Sequence, residues 1–453
     1  MKPKEPAQHA ENDLFRMELE NLIDRRHELA CLSDVIDWDG IAEDFGALYV
    51  DRKGRPGIPT RLMAGLLYLK ATFKLSDEDV VRRWVENPYW QYFCGEVHFR
   101  HELPIHPTSL TRFRKRIGEE GCELLLSQTV DAGLKTKTVE QRDLDQVVVD
   151  TTVMEKAVIH PTDSRLYHRS RERLVKLAKR HGITLRQSYA RKSQQTLVKV
   201  GRYGHARQFK RLRRETKRLK TWLGRVVRDI ERKIANRADL QEVFANELAL
   251  ANRLLLQERQ DKRKLYSLHA PEVECISKGK VRKPYEFGVK VSVATTLRSN
   301  FVLASHTVPG NPYDGHTLAA TLLRCFESTG TVVKAVFVDR GYRGCQSTDY
   351  MQLYIAGQRR GMTKVLKRKL KRRNAIEPII GHMKTEGHLD RNYLKGRIGD
   401  AINALMAGAG QNLRMILKRL RLLFAWLLRS FTKLVGMAYR IADSHQTQAA
   451  AVA

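Results

Sequence analysis

The run Val147-Val148-Val149-Asp150-Thr151-Thr152-Val153 decides how the rest of this chain is read, and it has a counterpart in Ala335-Val336-Phe337-Val338-Asp339. Both are rich in β-branched and aromatic residues, the composition of a buried strand, and both carry an aspartate where the apolar run stops. The second is followed at once by the turn Arg340-Gly341-Tyr342-Arg343-Gly344. In an open α/β sheet, ligands collect at the carboxyl ends of the strands, so Asp150 and Asp339 are expected to face one crevice. Paired carboxylate oxygens are what hard divalent cations take as ligands. Taken singly, an aspartate closing a strand is more often a turn or cap residue, and the weight lies in the combination.

Upstream of the first strand, Leu14 to about Thr138 has apolar residues at spacings of three and four, punctuated by Pro56, Pro59, Pro88, Pro104 and Pro107. This predicts an all-helical N-terminal segment. Within it, Ile58–Phe73 and Leu75–Trp84 read as two helices joined by a short turn, the second capped by Ser76. After Pro107, Thr108 or Ser109 can cap a short helix bearing Arg112, Arg114 and Arg116; such a helix can lie along DNA or present a solvated basic face.

Downstream, Arg165 to Lys264 is rich in arginine, lysine and leucine with almost no proline, which predicts long helices interrupting the sheet. β-rich texture returns in Tyr285–Thr296, Phe301–Thr307 and 332–339, with a helix over Thr317–Ser328. Asn374–Leu420 predicts helix again, and Ser444–Ala453, without periodicity, is expected to be disordered. The fold class is α/β, with an N-terminal helical domain over 1–138, a sheet domain over 139–164 and 265–420, a basic helical insertion over 165–264, and a C-terminal helix and tail over 421–453.

The 453 residues include 82 lysines and arginines against 50 acids, a formal charge of +32. Neutralising phosphates releases counterions, so this balance points to nucleic acid before a ribosomal, membrane-surface or merely soluble basic protein. Six scattered cysteines form no CxxC pair, which argues against a zinc site or a disulfide scaffold and fits a reducing cytoplasm. Met1–Asn12 lacks the apolar core of a signal peptide. The most apolar stretch, Leu422–Leu428, is cut off by Arg429 and Lys433, so no membrane span is expected.

A third carboxylate stands in Arg373-Asn374-Ala375-Ile376-Glu377-Pro378. Proline is tolerated only near a helix start, which puts Glu377 in a first turn, where the macrodipole favours a carboxylate. Lys384, seven residues on, returns to the same face, and Arg373 adds a further cation. Two carboxylates from strands and one from a helix, ringed by cations, suit two Mg2+ (or Mn2+) ions and a phosphodiester. Glu155, Asp163, Asp314 and Glu386 rank below these three; Glu386 would face elsewhere on its helix, and Asp314 is a turn former with a supporting role open to it.

The combination resembles the DDE transposases of the insertion-sequence-five superfamily. Val149–Val153 is similar to the family's first acidic motif, Pro309–Leu318 to the segment before the second acid, and Val338–Gly344 to that acid. The third motif places tyrosine, arginine, glutamate and lysine at positions 370, 373, 377 and 384, of which only the first departs, being Leu370. The resemblance spans about Ile58 to Leu417.

It implies a ribonuclease-H-like catalytic domain in which Asp150, Asp339 and Glu377 hold two divalent metal ions. It implies phosphate contacts from Arg373 and Lys384, beside the DNA contacts that the basic helix of Arg112, Arg114 and Arg116 can offer. The partners it implies are double-stranded DNA, as terminal inverted repeats and target, and further copies of the chain, as a homodimer or higher oligomer on DNA. The reaction implied is cleavage at transposon ends followed by joining of the 3′ hydroxyls to target DNA, in a bacterial cytoplasm and at the nucleoid. A DNA-binding protein without catalysis, or a nuclease without strand transfer, would share much of this pattern.

Overall fold

The computed structural model describes residues 17–49, 56–258, 260–277, 283–347, 350–358 and 362–450, the side chains of 426–450 excepted. It divides into two compact units. One comprises the chain up to Met154, Lys290–Asn392 and everything from Ile398; the other comprises Glu155–Val289 and Tyr393–Arg397.

The first unit begins with helices α1 (Leu19–Leu22), α2 (Glu28–Val35), α3 (Trp38–Gly46), α4 (Thr60–Phe73), α5 (Asp77–Glu86), α6 (Pro88–Phe93) and α7 (Thr108–Lys135). The Ser76 hydroxyl caps α5 by accepting from the Asp79 amide at 2.9 Å, as its position predicts. Helix α4 is buried along nearly its whole length, and the Tyr68 hydroxyl donates to the Leu125 carbonyl of α7 at 2.8 Å. Helix α7 is two helices in sequence, because Gly118 breaks it at φ 65°. The basic helix read from Thr108 to Ile117 is therefore a separate segment ahead of this kink.

The sheet follows. Strand β1 (Gln146–Lys156) carries the valine run and continues six residues past Asp150, whereas β5 (Ala335–Val338) stops just short of Asp339. The expectation that both strands end at their aspartate thus holds only for the second, since Thr151, Thr152 and Val153 keep β1 extended. Strands β1 and β5 are adjacent and parallel, pairing Gln146 with Ala335, Val147 with Val336 and Val148 with Phe337. Beyond β5 lies parallel β6 (Gln352–Ile355). On the other side of β1 lies β3 (Tyr285–Thr296), which pairs antiparallel with β4 (Val302–Val308).

Helix α12 (Asp314–Thr329) connects β4 to β5, and α13 (Lys364–Arg372) and α14 (Ile376–Thr385) follow β6. The helix expected over Asn374–Leu420 is interrupted. Helix α14 ends at Thr385; the chain then turns through Gly387, where a Cβ would stand 2.6 Å from the Met383 carbonyl, passes through the short β7 (Arg391–Asn392) and re-enters helix as α15 (Gly396–Ala450). Helix α15 crosses the expected boundary at 420–421 without a break and extends past Ser444, where loss of regular structure was expected; 451–453 lie outside the described residues.

The second unit contains β2 (Glu274–Ser277), antiparallel to the start of β3, and four helices: α8 (Asp163–Arg180), α9 (Ala190–His205), α10 (Phe209–Ile234) and α11 (Ala238–Leu256). These helices have a core of their own, including Leu174, Leu219, Leu223, Ile230, Phe244 and Leu254. Buried residues of α10 recur every three or four positions, as an amphipathic helix requires. Among the described residues, no helix is long and apolar enough to cross a membrane.

Candidate active site

The register of β1 on β5 is what brings two acids together. Continued by two residues from Val148 and Phe337, it sets Asp150 level with Asp339 on neighbouring strands, where strands lie about 4.8 Å apart. Each carboxylate has one oxygen tied to backbone. Asp150 Oδ1 accepts from the Thr151 amide and Asp339 Oδ1 from the Gly341 amide, both at 2.8 Å. The second contact explains the glycine: a Cβ there would stand 2.9 Å from Asp339 Oδ1 and 2.9 Å from Asp314 Oδ2.

Glu377 lies in the first turn of α14, with Pro378 where a helix start tolerates it. It is largely exposed. Arg373, in the single 3-10 turn that joins α13 to α14, is buried to 7 % exposure and donates from Nη2 to Asp150 Oδ2 at 3.2 Å, with Glu377 Oε1 4.0 Å away. Among the described residues, its buried Nε has no hydrogen-bond partner. The turn thereby links the helix-borne acid to the strand-borne one. Helix α14 is fastened at its far end by Lys74, whose ammonium donates to the Lys384 and Thr385 carbonyls at 3.0 and 3.1 Å and pairs with Asp390 at 3.0 Å. Lys384 is half-buried, two turns beyond Glu377.

Burial pushes the Asp150 carboxyl up to about 6; Arg373 opposes this, and the charges of Asp339 and Glu377 add to it. The charges of the other two acids singled out in the sequence thus reach Asp150. Among the described residues, no three His, Cys, Asp or Glu side chains stand close enough together to hold a metal ion as they are. The donor chemistry nonetheless fits one. A carboxylate whose proton affinity is raised by burial and neighbouring acids is relieved by a dication, and the strand pair offers oxygen donors only.

Two further groups complete the surroundings. Asp314 opens α12, and its Oδ1 accepts from Thr151 Oγ1 at 2.9 Å and pairs with Lys290 Nζ at 3.0 Å. Asp314 thus sits between the Asp150 strand and the Asp339 turn. Tyr342 is fully buried; burial first, then Asp314 and Asp150, push its pKa up, with Thr317 opposing and Asp339 adding the least. Sequence reasoning missed Lys290 and Tyr342. A signal was available for the lysine, the one cation of its strand, set between Val289 and Val291.

The other lower-ranked acids lie elsewhere. Glu155 pairs with Lys283, Asp163 sits in the first turn of α8, and Glu386 bonds His382 at 2.8 Å and pairs with Arg414 at 3.4 Å. Of the basic trio on α7, Arg112 and Arg116 are exposed, with Arg116 stacked over Tyr49 at 4.5 Å. Arg114 is not a surface cation. It is 5 % exposed and forks onto Asp77 at 2.9 and 2.5 Å, so the structure spends it inside the helical layer.

Residues 17–116 match a family described as a transposase domain (DUF772), and residues 258–409 match the transposase DDE domain. The second match includes Asp339 and Glu377 and begins after Asp150. The chain is also 52 % identical over 209 residues to an uncharacterized protein, ORF8 of the nfe locus of Rhizobium meliloti; the overlap covers all of that protein and 46 % of this chain. No solved structure matches it. The chain belongs to the DDE transposases of insertion sequences.

Proposed function

We propose that this transposase cleaves transposon ends and joins the freed 3′ hydroxyls to target DNA by phosphoryl transfer at Asp150, Asp339 and Glu377, within the insertion-sequence-five superfamily. One observation carries the reading: the parallel register that sets Asp150 level with Asp339, with Arg373 joining Asp150 to the start of the helix that bears Glu377. Parallel strands with acids at one level, flanked by an antiparallel hairpin, support a ribonuclease-H-like sheet. The four-helix unit supports an insertion within it, and the helices of 17–138 support an N-terminal DNA-binding segment.

Asp150 and Asp339 would hold divalent metal ions, with Glu377 completing the set. Such ions supply a nucleophile at neutral pH and stabilise the leaving oxygen. The chain's own residues do the positioning. Arg373 is placed to exchange Asp150 for a phosphate of the scissile strand, a bidentate contact that guanidinium geometry favours. Lys384 would hold a neighbouring phosphate. Asp314, clamped by Lys290 and Thr151, keeps the Asp150 strand and the Asp339 turn at fixed spacing.

The test is cleavage and joining of labelled DNA bearing the element's terminal inverted repeats, with Mg2+, by wild type and by Asp150→Asn, Asp339→Asn and Glu377→Gln. Each variant is expected to bind that DNA and lose activity on the order of a thousandfold or more. Full activity in any of them would remove that residue from the site. Wild type that binds but never cuts would favour a DNA-binding protein without catalysis; cutting without joining would favour a nuclease.

A further inference from the structure

Helix α10 carries a pattern that the catalytic site does not use. Positions 211, 214, 218, 221, 225, 228 and 232, alternately three and four apart, lie on one face of a helix. Six of the seven are arginine, Arg211, Arg214, Arg218, Arg225, Arg228 and Arg232, and the seventh is Thr221. All seven are exposed. The opposite face buries Leu219, Leu223, Val226 and Ile230 in the unit's core, so the row's direction is set by packing.

A helix face that merely solvates its protein mixes both signs, because like charges three or four apart repel. Here no acid stands on the row. The acids of α10 that come near it, Glu215 and Asp229, are buried and steer the arginines from beneath: Glu215 pairs with Arg218 at 3.0 Å and Arg214 at 3.5 Å, and Asp229 with Arg232 at 3.5 Å. The three side chains remain 64 %, 54 % and 61 % exposed at positions 214, 218 and 232. They are held in place yet open to a ligand. Beside the C-terminal half of the row, a cavity of about 530 Å³ is lined by four arginines, Arg186, Arg225, Arg228 and Arg232, against two acids, Asp229 and Glu231, and the Arg225 guanidinium bonds the Tyr189 hydroxyl at 3.3 Å.

We propose that this arginine row is a sequence-independent clamp for the phosphate backbone of duplex DNA, separate from the residues that carry out the chemistry. The inference rests on the reading of the chain as a DNA-processing enzyme. From Arg211 to Arg232 the row extends about 32 Å, close to one turn of duplex DNA at about 34 Å. Guanidiniums suit phosphates through their planar fork. A second copy of the chain is the poorer partner, since each copy carries a charge of +32 and would meet the row with the same sign.

The experiment uses the full chain and two variants: Arg211, Arg218, Arg225 and Arg232 all changed to Gln, and the same four changed to Lys. Binding is measured over a range of salt, to a duplex bearing the terminal repeats and to an unrelated duplex of equal length. The Gln variant is expected to lose affinity for both duplexes alike, tenfold or more at about 0.1 M salt, and its slope of log K on log salt should shrink by about 2 to 4. The Lys variant, with the charge intact, should keep most of the slope, which separates lost charge from lost folding. An unchanged slope in the Gln variant overturns the clamp, as does a wild type that binds neither duplex. Loss confined to the terminal-repeat duplex overturns its sequence independence, and a changed oligomeric state with unchanged DNA binding assigns the row to a protein partner instead. If wild type binds and the Gln variant does not, while neither cuts, the clamp stands and the catalytic reading fails.

Discussion

Asp77 and Asp150 are both partly buried aspartates facing a buried arginine, and their charges have opposite fates. Asp77 receives both arms of Arg114 and the ammonium of Lys70 at 2.5 Å. Burial pushes its carboxyl up, but these cations outweigh that and hold it below the usual range. Asp150 receives one contact from Arg373, at 3.2 Å, and faces two like charges, so it ends at about 6. The first site is satisfied and the second is not. A charge whose discomfort the protein leaves standing is where a ligand is to be expected, and one fully answered belongs to the scaffold. The same rule sorts the basic trio of α7, where burial and pairing take Arg114 out of contention while Arg112 and Arg116 stay exposed.

The largest effect should come from breaking the satisfied pair. Asp77→Asn leaves Arg114 and Lys70 buried with no counter-charge, and unfolding in urea at pH 7 should show a loss of about 3–5 kcal/mol. Because the folded carboxyl lies below its ordinary value of 3.8, its contribution is present above that value and fades as pH falls through the folded one. A loss of DNA affinity at unchanged stability would instead return Arg114 to the surface.

Asp150→Asn should act in the opposite direction. The folded state binds the Asp150 proton more tightly than the unfolded chain does, so without metal its ionisation costs stability as pH rises from about 4 to about 6. An amide resembles the protonated form. The variant should therefore be more stable than wild type at pH 7 by about 1–3 kcal/mol, with the difference gone near pH 3. A destabilised variant at pH 7 would mean that Arg373 depends on the Asp150 charge more than the neighbouring acids oppose it.

How much of this was legible in the sequence follows from where the decisive partners lie. The strand acids could be found because the β-branched runs before them are local, and Glu377 because Pro378 marks a helix start within one turn. Asp150 and Asp339 could be expected in one crevice, yet their common level depends on a register that no local pattern specifies. Arg114 looked like a surface cation because its partner is 37 residues away on another helix. Lys290 and Asp314 are 24 residues apart, across a hairpin and a loop. The helix read through Asn374–Leu420 stops at Thr385 and resumes at Gly396, and the contact on its last carbonyls comes from Lys74, 310 and 311 residues away in sequence.

The smallest effect is also the one that discriminates best between charge and geometry at the acid site. Asp314 and Lys290 pair at 3.0 Å, and Asp77 and Lys70 at 2.5 Å, but the first pair stands beside an unsatisfied carboxylate, Asp150. If the pair acts through its charge, removing either member shifts the field on a bound dication with opposite signs. Asp314→Asn leaves the ammonium uncompensated and should weaken Mn2+ binding. Lys290→Met leaves an extra carboxylate beside Asp339 and should tighten it. Each shift should be about three- to tenfold, of order 1 kcal/mol, read by calorimetric titration with Mn2+. If both variants weaken binding alike, the pair works by holding the Asp150 strand and the Asp339 turn at their spacing. Its loss would then act as the loss of a support behind metal ligands does, lowering affinity whatever the sign of the charge removed.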